Sequence, residues 1–232
     1  MRQTIILFGP PGAGKGTQAE LLARKFSLYY FETSEILERT FQEAEEKNED
    51  KIVTIEGESY SVLKEKEIWK EGKLCSPPFV VYLVQEEIKR LFEEGRDLVI
   101  AGSPRTVYEA EKIVPVLKNL YGLENIKVVL IEISPEETIF RNSHRRICQL
   151  MRHPILYNEE TKNLTVCPLD GSKLLRREGL DDPETIKTRL KEYKERTYPV
   201  LKVFEDEGLK IRKVNGEQNI ADVFKDILEV LK

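Results

Sequence analysis

The chain has 232 residues, of which 37 are basic and 41 acidic, giving a formal net charge of −4 at pH 7. This balance argues against a nucleic-acid-binding surface, and no run approaches the roughly 18 apolar residues that span a membrane. Three cysteines, an odd number, argue against a disulfide framework. No basic-then-apolar leader precedes the first apolar run, so we expect a cytoplasmic protein.

The first predicted element is an apolar strand, Thr4–Phe8, which runs directly into the glycine-rich turn GPPGAGKGT at residues 9–17. A strand followed by such a turn, a lysine and a helix is the phosphate-binding P-loop arrangement. Backbone N–H groups and the positive end of the helix dipole surround phosphate oxygens there. We therefore predict a nucleoside triphosphate site, with Lys15 on the terminal phosphates. Its residues are Pro11, Gly12, Ala13, Gly14, Lys15, Gly16 and Thr17.

Further along the chain, strand and helix patterns alternate. The apolar runs are residues 28–31, 97–101, 128–133 and 209–214. Continuous apolar character is typical of strands in a parallel sheet covered on both faces. The helical patterns are residues 18–26, 79–94, 107–120, 136–144, 183–207 (with Asp182 as N-cap) and 220–231. We predict a doubly wound α/β fold, a five-stranded parallel sheet with helices on both faces and a ligand beyond the strands' carboxyl ends.

Two segments interrupt this alternation. Residues 35–78 are charged and helix-prone, with a short β excursion or loop at 50–60, and residues 147–179 are rich in turn-forming residues. We predict that both are inserted into one core domain made of residues 1–34, 79–146 and 180–232.

Arginines occur at the predicted ligand edge. Arg105 follows the third strand in Gly-Ser-Pro-Arg-Thr, where its guanidinium can hold a phosphate bidentately. Arg141 and Arg145 are spaced i, i+4 on one helix face, where like charges repel unless an anion lies between them. Positioning two polyanions and neutralising their charge is most of what phosphoryl transfer requires of a protein.

The GPPGAGKGT spelling, with Gly16 after the lysine and the hydroxyl one residue later at Thr17, resembles the adenylate kinases and related nucleoside monophosphate kinases. The resemblance covers essentially the whole chain, with its motifs in order. It implies an ATP-binding transferase of nucleotide biosynthesis that moves the γ-phosphoryl group of ATP to AMP with Mg²⁺. It also implies that residues 35–78 form a monophosphate-binding arm, that residues 147–179 form a lid, and that the protein is a monomer.

The resemblance also assigns roles to single residues. It implies catalytic roles for Lys15, Arg105, Arg146, Arg177 and Arg189. It implies that ATP contacts Arg141, Arg146 and Glu217 besides the P-loop. For the monophosphate it implies Thr33, Glu35, Arg39, Gly102, Arg105, Glu109, Arg177 and Arg189.

Three positions depart from the family pattern. Glu38 stands where the arm carries an arginine, and Arg39, one residue on, points about 100° around the helix. Ala101 replaces an aspartate that orients hydrated magnesium, and Glu109 replaces a glutamine that reads adenine. An ionised glutamate only accepts hydrogen bonds. Two alternatives therefore stay open: a related kinase with CMP, UMP or GMP as acceptor, and a non-catalytic nucleotide-binding protein.

The lid segment has the spacing of zinc-bearing family lids, Cys148-x2-Met151 and Cys167-x2-Asp170. Met151 replaces one thiolate, and a thioether is a poor zinc ligand, whereas His153 is two residues away. Two interpretations remain. Either the lid is a metal-free knuckle held by packing and hydrogen bonds, or a structural zinc is bound by Cys148, His153, Cys167 and Asp170.

Overall fold

A computed structural model describes residues 2–46, 50–176 and 181–232 of the chain. The strands are β1 Thr4–Phe8, β2 Tyr29–Glu32, β3 Ile52–Ile55, β4 Glu58–Ser61, β5 Leu98–Ala101, β6 Ile126–Glu132, β7 Arg146–Cys148, β8 Pro154–Ile155, β9 Leu174–Leu175 and β10 Ile211–Asn215. The α-helices are α1 Lys15–Phe26, α2 Thr33–Glu46, α3 Val62–Lys70, α4 Pro77–Glu93, α5 Val107–Tyr121, α6 Pro135–His144, α7 Pro183–Glu192, α8 Val200–Asp206 and α9 Ile220–Val230.

The central sheet has five parallel strands in the order β10-β6-β1-β5-β2. Every residue of β1 and β5 is buried, which explains their continuous apolar sequences. On one face, Ile6, Phe8 and Ile100 join a cluster with α4, α5 and α8. On the other, Leu7, Val99 and their neighbours pack against α1 and α9. The predicted fold class, a doubly wound parallel sheet, is confirmed.

The predicted single helix over residues 183–207 is wrong. It is divided into α7, a π-helical turn at Tyr193–Thr197, and α8. Pro199 lies at the second junction, and because proline lacks an amide N–H and its ring clashes with the preceding turn, a regular helix is interrupted there. The predicted N-cap is confirmed, since the Asp182 carboxylate accepts a hydrogen bond from the Thr185 N–H at 3.0 Å.

Both predicted insertions carry small sheets of their own. In residues 35–78, β3 and β4 form an antiparallel hairpin, which confirms the short β excursion. In the second, β7, which begins one residue before the predicted insertion, pairs with both β8 and β9. The division into a core, a monophosphate arm and a lid stays a prediction. Within the described residues, no helix has the length and apolar content to cross a membrane.

Candidate functional site

A cleft of about 680 Å³ lies at the carboxyl edge of the central sheet. Its walls come from the P-loop, the turn after β5, helices α6 and α7, the lid segment, and the loop before α9. Because parallel strands all end at this edge, residues far apart in the chain meet there. All of the P-loop residues predicted to bind the triphosphate line the cleft.

Lys15 is the first residue of α1 and folds back over the P-loop. Its ammonium group donates to the carbonyl oxygens of Gly9 and Pro10, both at 2.8 Å. Burial, reinforced by the neighbouring charges of Arg105 and Arg189, lowers the pKa of Lys15 to about 7. Because burial and positive neighbours disfavour the charged form of Lys15, an anion in the cleft would stabilise its ammonium group. The N–H groups at the start of α1 face the same cleft and also favour an anion.

Arg105 lies where the sequence predicts it, in the turn after β5, and lines the cleft. Gly102 makes this turn possible. Its φ is +96°, a value that L residues rarely adopt, and an added Cβ would come 3.0 Å from Nη2 of Arg105. Arg189 on α7 also lines the cleft. Both guanidiniums, together with that of Arg145, act on the charge of Lys15, so four cations converge.

The pair Arg145 and Arg146 is placed differently from the prediction. Arg145 is the C-cap of α6; it lines the cleft and pairs with the buried Asp181. Arg146 begins β7, and its guanidinium donates to the carbonyl oxygens of Thr161 and Leu164 inside the lid segment. Successive residues of an extended strand point in opposite directions. In this structure Arg145, not Arg146, is therefore the arginine directed at the cleft.

The loop before α9 closes the far end of the cleft. Glu217 lines it and accepts a hydrogen bond from the Ser134 N–H at 2.6 Å. Arg141 also lines the cleft; its guanidinium contacts Glu137 through Nε at 2.6 Å and the carbonyl of Gly216 through Nη2 at 2.9 Å. Arg141 was predicted to converge with Arg145, but its ion pair with Glu137 partly holds the Arg141 guanidinium on its own helix.

The residues predicted for the monophosphate are dispersed. Gly102, Arg105 and Arg189 line the cleft. Thr33 is buried beside Gly102, and its hydroxyl makes no hydrogen bond to any part of the chain that the structure describes. Glu35 and Arg39 are exposed on α2, with Arg39 pointing toward Glu87 at 3.8 Å. Arg177 lies outside the described residues.

Glu109 does not face the cleft, contrary to the expectation that it reads the base. It is 1% exposed, in the first turn of α5. Its carboxylate accepts from the Arg105 N–H at 2.8 Å and from the hydroxyls of Thr106 and Ser103 at 3.2 and 3.3 Å. The Thr106 hydroxyl in turn accepts from the Glu109 N–H, which makes a reciprocal helix cap. Glu109 therefore supports the turn that carries Arg105.

The lid segment brings together the donors predicted for zinc. The ligand atoms of Cys148, His153 and Cys167 lie within 4.8 Å of one another. Asp170 Oδ2 is 3.0 Å from Cys148 Sγ. Met151 is 60% exposed, so its thioether is outside this group. Two thiolates, an imidazole and a carboxylate form a donor set that zinc accepts.

Among the cleft residues that the sequence interpretation did not assign to the site, Arg145 and Glu32 act on the charge of Lys15. Arg145 was noted only for its spacing from Arg141. What distinguishes it from Arg146 is that α6 ends at His144, so that Arg145 is the C-cap of the helix. Glu32, the last residue of β2, lines the cleft, and its charge acts on Lys15. Glu32 could have been recognised from its pairing with Ala101 on the neighbouring strand, but strand pairing cannot be read from a single sequence.

A doubly wound parallel sheet whose P-loop faces a ring of arginines defines a P-loop phosphotransferase. The sequence model of the adenylate kinase family matches residues 7–209. The chain is 34% identical to the adenylate kinase of Caldicellulosiruptor bescii over 230 residues, covering 98% of each protein. It is 31% identical to that of Oceanobacillus iheyensis over the same share of both chains, and 32% identical to that of Petrotoga mobilis over 232 residues. The chain belongs to the adenylate kinase family.

Proposed function

We infer that this chain transfers the γ-phosphoryl group of ATP to AMP. The observation that carries this function is the convergence of Lys15, Arg105, Arg145 and Arg189 on a single cleft. A protein that only bound a nucleotide would need the P-loop but not three further arginines in the same cleft. Three arginines around the P-loop lysine fit a reaction in which charge spreads over a transferring phosphoryl group.

Each of these residues has a physical role in the transfer. Lys15 and the P-loop N–H groups hold the terminal phosphates of ATP, and Arg105, in the turn braced by Glu109, holds the acceptor phosphate. Arg145 and Arg189 approach from α6 and α7 and neutralise the group in transit. The acceptor phosphate is already anionic, so positioning replaces a general base. The predicted arm and lid, residues 35–78 and 147–179, would close over the nucleotides and exclude water.

Magnesium fits the phosphate end of the cleft because the Thr17 hydroxyl there offers a hard oxygen ligand. When bound with ATP, Mg²⁺ neutralises part of the phosphate charge. The lid donors Cys148, His153, Cys167 and Asp170 fit a structural zinc, which would fasten β7 to the turn before β9.

The decisive experiment is a coupled assay of ADP formation from ATP and magnesium with AMP, CMP, UMP or GMP, alongside a reaction without acceptor. We expect AMP to give the highest kcat/KM. Arg105→Lys should lower kcat/KM by at least tenfold, because an ammonium group does not make the bidentate contact. Lys64→Arg, a conservative change on α3 outside the cleft, is the matched control. Tight ATP binding without transfer to any of the four acceptors would overturn the proposed function.

A further inference from the structure

Glu32 occupies a distinctive place in the cleft. It ends β2, and its partner in the parallel ladder is Ala101, at the end of β5. Registered residues of neighbouring strands project to the same face of a sheet. Ala101 belongs to the apolar cluster on the α1 face, as do Val99 and the ring of Tyr30. The Glu32 side chain therefore projects toward the side of the sheet that carries the P-loop, next to the Ala101 methyl group, which offers no ligand atom.

The carboxylate of Glu32 is held in place by two neutral donors. The Tyr30 hydroxyl donates to Oε2 at 2.7 Å and the Ser34 hydroxyl to Oε1 at 2.6 Å. Burial and the Glu32 charge raise the pKa of Tyr30, which keeps its phenol protonated as a donor. Neutral donors do not cancel the negative charge, and each carboxylate oxygen retains a lone pair for another hydrogen bond.

The same arrangement reaches the first turn of α1. The Tyr30 hydroxyl lies so close to Gly16 that a Cβ built there would approach it to 3.1 Å. Gly16 stands between Lys15 and Thr17, and the absence of a side chain there makes room for the tyrosine whose hydroxyl holds the Glu32 carboxylate. Glu32 is also the carboxylate that counters the surrounding cations at Lys15.

Mg²⁺ binds phosphates through one or two carboxylates while keeping several of its waters. We propose that Glu32 is a positioning residue that accepts hydrogen bonds from the waters of ATP-bound magnesium, supplying from β2 the carboxylate that Ala101 cannot supply from β5. The proposal rests on the proposed function, because it concerns the metal carried by ATP. It also explains how the chain accommodates an alanine at the end of β5.

A positioning role for Glu32 can be distinguished from a purely structural role by comparing the binding of metal-free ATP with the binding of metal to the protein–ATP complex. A fixed negative charge near the P-loop repels metal-free ATP, whereas it attracts the divalent ion that the ATP carries. Glu32→Gln keeps the length of the side chain and an oxygen that accepts from Tyr30. It should therefore leave metal-free ATP binding unchanged or tighter, and should weaken metal binding in the ATP complex by about 10–100-fold, as loss of an outer-shell ligand does.

The test uses the full chain with Mn²⁺ as the probe. Calorimetry in EDTA gives the affinity for metal-free ATP, and electron paramagnetic resonance titration gives the Mn²⁺ affinity of the protein–ATP complex. The matched control is Glu20→Gln, which removes an acid from the lining of the same cleft on α1. A double variant, Glu32→Gln with Ala101→Asp, returns a carboxylate to the neighbouring strand and should recover Mn²⁺ affinity.

An unchanged Mn²⁺ affinity in Glu32→Gln, or equal weakening of Mn²⁺ and metal-free ATP, would overturn the proposal. A folded double variant with Mn²⁺ affinity as low as that of Glu32→Gln would also count against it. Transfer from ATP to AMP by the unmodified chain is measured in the same preparation. If the unmodified chain transfers while Glu32→Gln retains its metal affinity, the Glu32 proposal alone fails. Absence of transfer in the unmodified chain would overturn the proposed function instead.

Discussion

The guanidinium of Arg145 contacts both carboxylate oxygens of Asp181, with Nε 3.1 Å from Oδ2. Arg145 caps the C-terminal end of α6, and Asp181 precedes the N-cap of α7. The two residues therefore fasten together the elements on either side of the lid segment. Since Arg145 also lines the cleft, the same contact helps to orient its cationic group there.

Replacing Asp181 with asparagine should lower both stability and kcat. The Asp181 side chain is 2% exposed and that of Arg145 20%, so removing the carboxylate leaves a largely buried charge without its partner. We expect a loss of roughly 2–3 kcal/mol in the free energy of unfolding, below the range for fully buried pairs. Urea unfolding measures it. The control is Lys202→Ala, which breaks an exposed i, i+4 pair with Asp206 on α8 and should change the free energy of unfolding far less. Equal costs for the two variants would contradict the prediction.

Lys15→Met should abolish transfer and raise the melting temperature of the nucleotide-free protein. The folded pKa of Lys15, about 7, lies below its value of 10.5 in the unfolded chain, so folding at neutral pH opposes the charged form. A net gain of roughly 2 kcal/mol, after loss of two hydrogen bonds, corresponds to about 4–8 °C.

The lowered pKa of Lys15 also determines how the stability of the protein changes with pH. The unfolded state binds more protons than the folded state between pH 7 and 10.5, so the unmodified protein gains stability across that window as pH rises. The advantage of Lys15→Met should therefore be largest at pH 7 or below and should shrink by pH 9. Scanning calorimetry of both proteins at the two pH values measures it, and an advantage that does not change with pH would contradict the assigned cause.

Glu109→Gln should leave the ranking of AMP, CMP, UMP and GMP unchanged, because the carboxylate lies beneath the Arg105 turn and not in the cleft. Glu109→Ala removes the acceptor of the Arg105 N–H and one half of the helix cap. It should cost about 1 kcal/mol in stability and raise the KM for the monophosphate. Initial rates with each acceptor measure both effects. A new ranking in Glu109→Gln would return Glu109 to the base-reading role expected from the sequence.

The purified protein should contain about one zinc ion per chain, as measured by elemental analysis. His153→Ala and Cys148→Ser should lose it, whereas Met151→Ala should keep it because the Met151 side chain is exposed outside the donor group. A strong chelator should lower the melting temperature of the unmodified protein and of Met151→Ala only. Metal-free protein of unaltered melting temperature would favour the alternative, a knuckle held by packing and hydrogen bonds.

The sheet could be predicted from the sequence because its strands are buried on both sides and must be apolar without interruption. β1 is predicted to the residue, and the other core strands to within two residues at either end. The P-loop could be predicted equally well, since its amino-acid sequence specifies its backbone conformation. The break of the long helix near Pro199 was missed, although proline there removes a backbone donor.

The side chains of the cleft were harder to predict because their directions depend on tertiary contacts. Whether Arg145 or Arg146 faces the cleft depends on where α6 stops and β7 starts. Whether Glu109 reads a base or caps a helix depends on which face of α5 is buried. The role argued for Glu32 depends on pairing between strands that are far apart in sequence.

The central place of β1 in the sheet has a consequence for how the chain acquires its shape during synthesis. β1 is translated well before its two neighbours in the sheet, which begin at Leu98 and Ile126. At the usual pace of ribosomes, on the order of 5–25 s pass before both partners have been made. During that interval at least one edge of the apolar strand β1 has no partner, and an unpaired apolar edge is prone to aggregation until β6 completes the centre of the sheet.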